Sequence, residues 1–253
     1  EGALLVESLY KKAFGTVVKV NDAKTAEAVK ITENIFRSVN IALVNELKVV
    51  FDAMDIDVWD VIDAASTKPF GFMPFYPGPG LGGHCIPIDP FYLSYKAKEF
   101  DVPTRFIELA GEINTKMPNY VVEKIVYALS ESKKLSVNGS KILVVGLSYK
   151  KDIDDMRESP SIKIIEQLKK LGSQVSFHDS YIKDVSNNPI CKQLYCNVSI
   201  DITKENIANY DAIVISTNHS NIDYSIIATS AKVIIDTRNA MNNIPTSGYI
   251  IKA

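Results

Sequence analysis

A loop rich in glycine and proline constrains the fold of this chain more than any other stretch. Residues 75–90 read FYPGPGLGGHCIPIDP, with four glycines and four prolines. This composition excludes a helix interior or a central strand, because proline lacks a backbone donor and glycine carries a large entropic cost in regular structure. The sequence therefore predicts a shaped loop whose backbone can approach a ligand closely.

The end of this loop carries groups suited to covalent chemistry. Cys85 follows His84, and Asp89 lies four residues further along the chain. A thiol near a carboxylate can provide a nucleophile with a water-activating base. The alternative is that Cys85 is a small buried hydrophobic residue, as most free cysteines are. Spacing alone leaves both interpretations open.

Composition excludes several classes of protein. The chain has 253 residues, of which 46% are hydrophobic, and this suits one large or two modest domains. A net charge of -2 and a pI near 6.0 disfavour a nucleic-acid binder. The sequence has no run of eighteen apolar residues, so no membrane span is expected. Three scattered cysteines and a start without the features of a signal peptide indicate the cytoplasm, and Cys191 and Cys196 are interpreted as incidental.

Apolar periodicity predicts that the first half of the chain is helix and loop. Residues 23–54 lack proline and glycine and predict a helix of about eight turns. Pro118 lies inside a later helical pattern, so a kink or a break is expected near Lys116. Long helices need a partner surface, and we expect a homodimer or a higher homo-oligomer. The other predicted elements are helices at 4–14, 57–65, 90–100 and from 103 to about 130, and a strand at 16–20.

After a polar boundary at 130–140, the pattern changes to alternating strands and helices. The sequence therefore predicts an α/β chain, with an all-helical dimerisation domain followed by a Rossmann-like, doubly wound parallel sheet. The first strand leads into residues 146–150 (GLSYK), which have one glycine instead of the GxGxxG of a dinucleotide site. The second domain is therefore a poor NAD site. Predicted strands cover 141–145, 174–177, 211–216 and 232–235, with 249–251 as a possible edge.

Several motifs occur in the order found in the UDP-glucose/GDP-mannose dehydrogenase family, and nearly the whole chain resembles it. The loop most resembles the UDP-N-acetylglucosamine 6-dehydrogenase branch. The resemblance implies that 1–22 close an NAD-binding domain otherwise absent here, that 23–135 form the central helical domain, and that 136–253 bind the UDP-sugar. The further motifs are 30–34 (KITEN), 45–46 (NE), 146–150 (GLSYK) and 155–160 (DMRESP).

The resemblance implies a two-step oxidation of the C6 alcohol of a UDP-sugar to a carboxylate, with NAD as the hydride acceptor and Cys85 carrying a thiohemiacetal and then a thioester. UDP-N-acetylglucosamine is the first choice of substrate, ahead of UDP-N-acetylmannosamine, UDP-glucose and GDP-mannose. Building blocks for capsule or lipopolysaccharide are the implied products.

The resemblance also implies roles for individual residues. Lys30 and Asn34 would stabilise the oxyanion, and Asp89 would activate the hydrolytic water. Asn45 and Glu46 are assigned to helix packing or dimer contact. His178 and His219 are expected in structural or nucleotide-pocket roles. Arg157 is assigned to the cofactor, and the substrate-binding residues are Tyr76, Gly82, Gly83, Tyr149, Lys150 and Arg238.

Other interpretations remain open at this point. The chain alone is expected to bind a UDP-sugar weakly or not at all and not to turn over, because the NAD contacts of the family are missing. A non-catalytic nucleotide-sugar-binding or dimerisation module is one alternative. A cysteine hydrolase that pairs Cys85 with His84 is disfavoured, because adjacent side chains seldom face one another. A glycolytic-type dehydrogenase is disfavoured by the missing nicotinamide fingerprint.

Overall fold

The computed structural model describes residues 2–186 and 197–253. The first part of the chain is helical, as predicted. Its helices are α1 (Gly2–Tyr10), α2 (Ala23–Asp52), α3 (Val58–Ser66), α4 (Asp89–Lys98) and α5 (Arg105–Lys133). The strand expected at 16–20 is wrong: these residues have no regular structure. A β-branched run needs a neighbouring strand for its hydrogen bonds, and no described strand lies beside this one.

Helix α5 continues through Pro118, so the break expected near Lys116 does not occur. Proline has no amide hydrogen to donate to the carbonyl four residues earlier, which belongs to Asn114. The glycine-rich loop passes this carbonyl, and a Cβ added to Gly80 would lie 3.3 Å from the Asn114 oxygen. The loop therefore covers the helix surface where the hydrogen bond is missing.

The second part of the chain is a five-stranded sheet in which every strand pair is parallel, with the order β2-β1-β3-β4-β5. This architecture confirms the predicted α/β fold, including the strand at the edge. Four of the strands are almost wholly buried, as expected for a parallel sheet covered on both faces. The strands are β1 (Lys141–Val145), β2 (Gln174–His178), β3 (Ala212–Ile215), β4 (Val233–Asp236) and β5 (Tyr249–Lys252), and the helices are α6 (Pro160–Lys170), α7 (Lys204–Ala208) and α8 (Tyr224–Ser230).

The second half of α5 packs on this sheet. Its buried side chains Val121, Ile125 and Leu129 belong to the same apolar cluster as Ile142 and Val144 of β1. The first half of α5 packs against α2 and carries Asn114 beneath the loop. One helix thus supports both the loop and the sheet, and the division of the chain at 135/136 stays a prediction.

Apolar side chains remain exposed along α2. Phe36, Leu43 and Val50 are 48%, 51% and 46% exposed. Contiguous exposed apolar surface is typical of a face covered in an assembly. The exposed face of α2 is consistent with the expected homodimer, which stays a prediction. Among the residues that the structure describes, no helix has both the length and the apolar character needed to cross a membrane.

Candidate active site

A chain of buried side-chain amides anchors the glycine-rich loop to the long helices. The Gly78 amide donates to Asn45 Oδ1 at 3.0 Å, and Asn45 Nδ2 donates to Asn114 Oδ1 at 2.9 Å. Asn114 Nδ2 in turn donates to the Ser38 carbonyl at 3.1 Å. Asn45 is fully buried, so it joins α2 to α5 and also fixes the start of the loop. Sequence reasoning identified only the helix-packing part of this role.

The middle of the loop lies against the segment that follows β1. The Gly83 amide donates to the Arg157 carbonyl at 2.8 Å. A Cβ at Gly82 would lie 2.4 Å from Tyr149 Cβ, and a Cβ at Gly83 would lie 2.8 Å from Tyr149 Cζ. Gly83 also has a φ of 82°, which a side chain would strain. Glycine at both positions therefore lets the central loop contact the sheet domain.

Cys85 lies at the turn that opens α4. Its carbonyl accepts the Asp89 amide at 2.8 Å, and Asp89 is the first residue of α4. The thiol is exposed, so the interpretation of Cys85 as a buried hydrophobic residue is wrong. Asn34, which is 1% exposed on α2, donates from Nδ2 to Asp89 Oδ2 at 2.7 Å. The structure thus brings together three of the four predicted catalytic residues.

Lys30 lies one helical turn before Asn34 but points into solvent. Its side chain is 59% exposed, and Nζ lies 3.6 Å from Glu33 Oε2. Arg37 Nη2 shares the same carboxylate at 3.5 Å. Lys30 and Arg37 are therefore solvated charges on either side of the buried Asn34, and the catalytic role of Lys30 stays a prediction.

His84, Cys85 and Asp89 converge at the loop end. One ligand atom of each side chain lies within 4.8 Å of the other two. The expectation that the neighbours His84 and Cys85 face apart is therefore wrong. A hydrolytic triad requires hydrogen bonds that link nucleophile, base and orienting group. None joins these three side chains in the described structure, and Asp89 bonds Asn34 instead, so the geometry does not favour a cysteine hydrolase.

Basic and aromatic side chains border the same loop on the sheet side. Tyr149 is partly buried, and Lys150 is exposed and forms no ion pair with a carboxylate that the structure describes. Arg238 Nε donates to the Ser216 carbonyl at 2.9 Å, and its burial lowers the pKa of the guanidinium to about 10. A Cβ at Gly78 would lie 2.4 Å from Arg238 Nη1, so this guanidinium reaches the loop backbone.

Two further predicted residues are committed to contacts within the protein. Tyr76 is 47% exposed, and its hydroxyl donates to Asp63 Oδ1 at 2.7 Å, which raises the pKa of Tyr76. Arg157 forms an ion pair with Asp155 through Nη2 at 2.6 Å and stays 67% exposed. Tyr76 belongs to the loop and Arg157 borders it, and their substrate and cofactor roles stay predictions.

Sequence reasoning missed Asp179, which follows β2 and is fully buried. Its Oδ2 accepts the amides of Leu147 and Ser148 at 2.7 and 3.0 Å and lies 3.1 Å from His219 Nε2. His219 Nδ1 accepts the Asp152 amide at 2.9 Å, which fixes the proton on Nε2. This buried pair holds the segment that presents Tyr149 and Lys150. An acidic residue after the second strand was the available signal.

The remaining predictions concern two histidines and two cysteines of the second part of the chain. His178 lies 2.7 Å from the Ile200 carbonyl through Nδ1, and burial lowers its pKa. His178 and His219 therefore both form hydrogen bonds within the protein, and a place for either in the nucleotide pocket stays a prediction. Cys191 and Cys196 lie outside the described residues.

Comparison with known proteins identifies relatives of this chain. A UDP-N-acetyl-D-mannosamine dehydrogenase of Methanococcus vannielii is 34% identical over 251 residues, which cover 96% of this chain and 54% of the relative. A UDP-N-acetyl-D-glucosamine 6-dehydrogenase of Pseudomonas aeruginosa is 39% identical over 184 residues, which cover 72% of this chain and 43% of the relative. This chain therefore spans about half the length of the relatives it matches.

A solved structure and two family models match the chain to the same kind of protein as these relatives. The solved structure of a UDP-D-ManNAc dehydrogenase from Pyrococcus horikoshii aligns with a TM-score of 0.83 at 31% identity, over 99% of this chain and 56% of that one. The central-domain model of the UDP-glucose/GDP-mannose dehydrogenase family matches residues 24–116, and its UDP-binding-domain model matches residues 143–243. This chain belongs to the UDP-glucose/GDP-mannose dehydrogenase family and comprises its central and UDP-binding domains.

Proposed function

We propose that this chain is the nucleotide-sugar half of an NAD-dependent 6-dehydrogenase that oxidises a UDP-linked 2-acetamido sugar to its uronic acid. The observation that carries the proposal is the position of Cys85 beside the Asn34–Asp89 pair, on a loop that contacts Tyr149 of the UDP-binding domain. UDP-N-acetylglucosamine and UDP-N-acetylmannosamine are the candidate substrates, since relatives at similar identity carry both names.

Cys85 supplies the nucleophile for the second oxidation. Its exposed thiol attacks the C6 aldehyde and forms a thiohemiacetal. If the adduct gives its hydride to NAD held by the rest of the protein, a thioester would remain on Cys85, and water would hydrolyse it to the carboxylate and free the thiol. Nucleophilic catalysis of this kind divides one difficult step into two easier ones.

Asn34 and Asp89 assist formation of the adduct and hydrolysis of the thioester. The Cys85 sulfur and a carboxylate oxygen of Asp89 lie within 4.8 Å, so a water bound to this carboxylate would be next to the thioester. Asn34 donates to Oδ2, so Asp89 is oriented and its other oxygen is available to accept a proton from that water. A buried amide at this position can also donate to the developing oxyanion when the substrate is bound.

Lys150 and Arg238 supply positive charge for the diphosphate. Lys150 is exposed and lacks a described carboxylate partner, so its ammonium is available to an anion. Arg238 is held by Ser216 and Asp236 beside the loop backbone. The uracil would rest on the side of Tyr149 that faces away from Gly83.

The turn after β1 does not fit the pyrophosphate of the dinucleotide. In a Rossmann fold the amides after the first strand bind the pyrophosphate. Here the amides of Leu147 and Ser148 already donate to Asp179, and a Cβ at Gly146 would lie 2.4 Å from the Thr217 carbonyl oxygen. No step is therefore derived through NAD on this chain, and the dinucleotide is proposed for the rest of the protein. Arg157, exposed beside the loop, is the one cofactor contact proposed here.

Calorimetric titration of this chain tests the nucleotide site. UDP and the two UDP-N-acetylhexosamines are expected to bind in preference to UDP-glucose and GDP-mannose. Lys150→Ala is expected to weaken UDP roughly tenfold, as for loss of one charge-assisted hydrogen bond. Lys151→Ala is the matched control, because Lys151 is the neighbouring exposed lysine, and it should leave the affinity unchanged. Equal weakening by both variants would contradict the proposed role of Lys150.

Mass spectrometry of acid-quenched turnover tests the chemistry in the full-length protein. Asp89→Asn is expected to accumulate the acyl-enzyme on Cys85, because hydrolysis of the thioester is slowed. Cys85→Ser is expected to lose formation of the uronic acid. A full-length protein that binds the sugar nucleotide but never reduces NAD would instead be a binding module.

A further inference from the structure

The loop end carries an unusual combination of donor groups. His84, Cys85 and Asp89 offer an imidazole nitrogen, a thiolate sulfur and a carboxylate oxygen, all within 4.8 Å of one another. These are the three ligand types that Zn²⁺ accepts in proteins. Neither the His84 ring nor the Cys85 thiol has a hydrogen-bond partner among the described residues, so both are free to bind.

We propose that His84, Cys85 and Asp89 form a Zn²⁺ site in which the metal binds the proposed nucleophile. Zinc with bond lengths of roughly 2.0 to 2.3 Å places its tetrahedral ligands roughly 3 to 4 Å apart. The three donor atoms, which lie within 4.8 Å of one another, need to approach by at most about 1 to 2 Å to reach this arrangement. His84 and Cys85 are exposed, and rotation of their side chains supplies that movement.

The neighbouring hydrogen bond prepares Asp89 for this role. Asn34 is 1% exposed and donates to Oδ2 at 2.7 Å, which leaves Oδ1 for a metal. Outer hydrogen bonds of this kind orient ligating carboxylates in metal sites. The site thus has three protein ligands and one open position, since the loop end faces solvent.

The donor set selects among metals. Thiolate and imidazole favour Zn²⁺ over Mg²⁺ and Ca²⁺, which prefer oxygen ligands. Zinc on Cys85 would occupy the sulfur lone pair needed for attack on the aldehyde, and it would also engage the carboxylate that serves the water. The proposal that zinc binds here rests on the geometry alone. The further expectation that zinc reversibly inhibits the enzyme rests on the proposed function.

Zinc titration of this chain against a chromophoric chelator tests the proposal. One Zn²⁺ is expected per chain, with the same affinity when Cys191 and Cys196 are both changed to Ser. In that background, Cys85→Ser, His84→Ala and Asp89→Asn should each weaken binding at least about tenfold, because each removes a ligand. Asn34→Ala should weaken it roughly 10- to 100-fold, as measured for outer-shell partners.

Two outcomes would overturn the proposal. One is unchanged affinity in Cys85→Ser, and the other is loss of binding when Cys191 and Cys196 alone are replaced. Cobalt gives a second readout: Co²⁺ should produce a thiolate charge-transfer band that Cys85→Ser abolishes, and millimolar Mg²⁺ should leave this band unchanged. Circular dichroism checks that each variant folds. Neither measurement uses a sugar nucleotide, so a negative result leaves the nucleotide titration unaffected.

Discussion

The amide of Asn34 and the carboxylate of Asp89 join helix α2 to helix α4 through a hydrogen bond of 2.7 Å. Asn34 is buried on the long helix, whereas Asp89 begins the short helix that follows the thiol loop. The position of Asp89 beside Cys85 therefore depends on a residue 55 positions earlier in the chain.

Asn34→Ala in the full-length protein is expected to lower kcat roughly 100-fold with little change in KM, because it removes an oxyanion donor and frees Asp89 to rotate. Steady-state NAD reduction measures this effect. Asn40→Ala is the control, since in the described structure the Asn40 amide donates to the Phe36 carbonyl of the same helix and not to Asp89. Equal kcat values for Asn34→Ala and the unchanged protein would contradict the assignment.

Asn45→Ala is expected to lower the free energy of unfolding by about 2 to 4 kcal/mol. The substitution leaves the Gly78 amide and Asn114 Oδ1 without their partners, and each buried unpaired group costs about 1 to 3 kcal/mol. Urea denaturation followed by circular dichroism measures the change. Asn119→Ala removes an exposed hydrogen bond that Gln167 Nε2 donates to Asn119 Oδ1, and it should cost less than about 1 kcal/mol. A similar cost for both variants would show that the amide chain does not stabilise the loop.

Gly83→Ala is expected to destabilise the chain by more than Gly139→Ala. Both glycines have a φ near 82° (82° and 83°), so both substitutions carry the strain of that backbone conformation, about 1 to 2 kcal/mol. Nothing lies within 4 Å of a Cβ at Gly139, whereas a Cβ at Gly83 would lie 2.8 Å from Tyr149 Cζ. Thermal melts should therefore show an additional loss that Tyr149→Ala relieves in the double variant. Additive effects would mean that the ring does not contact the loop.

Stability is expected to depend on Asp179 in acid. Burial alone would raise its pKa, but hydrogen bonds from His219 and from backbone amides lower the pKa of Asp179 from 3.8 to about 2. A carboxyl whose pKa is lower in the folded state stabilises the fold above the unfolded pKa, and this contribution disappears as the pH falls from about 4 to about 2. Its full size is about 2 kcal/mol.

Denaturant titrations of Asp179→Asn and the unchanged chain at pH 6 and near pH 2.5 measure this contribution. The difference in the free energy of unfolding should be large at pH 6 and small in acid. Asp154→Asn, at an exposed position, should show no difference at either pH. A pH-independent difference for Asp179→Asn would contradict the linkage.

Asp57→Ala is expected to cost more stability than Asp223→Ala. Each aspartate caps a helix by accepting a backbone amide, from Trp59 and from Ser225 respectively, and loss of a cap costs about 1 kcal/mol. Asp57 additionally pairs with Lys252 of β5, which links α3 to the sheet. Urea denaturation followed by Trp59 fluorescence should report the larger loss. Equal losses would show that the ion pair contributes nothing measurable.

Patterns within a segment predicted most of the fold. The apolar period of 23–54 gave α2 within two residues at its end, and short apolar runs gave all five strands. The run at 16–20 failed because the same β-branched composition forms a strand only where a neighbour completes its hydrogen bonds. The break near Pro118 failed because α5 packs on α2 before the proline and on the sheet after it, and this packing outweighs one missing hydrogen bond; the kink stays a prediction.

The site was predictable only where residue type decides the chemistry. Cys85, Asp89 and Asn34 were identified through their resemblance to a family, and the structure brings them together. Asn45 and Asp179 act through contacts with backbone amides more than 30 positions away, and no local pattern encodes such a contact. Tertiary hydrogen bonds of this kind become visible only when the elements are assembled.

Helix α5 also determines how the chain unfolds. Its second half closes the apolar face of the sheet, and its first half supports α2 and the loop, so neither part keeps its core if this helix melts. A sheet domain that lacked α5 would lose Val121, Ile125 and Leu129 and would expose strands that are now covered. We therefore expect the thiol loop and the sheet domain to lose their structure in one cooperative transition.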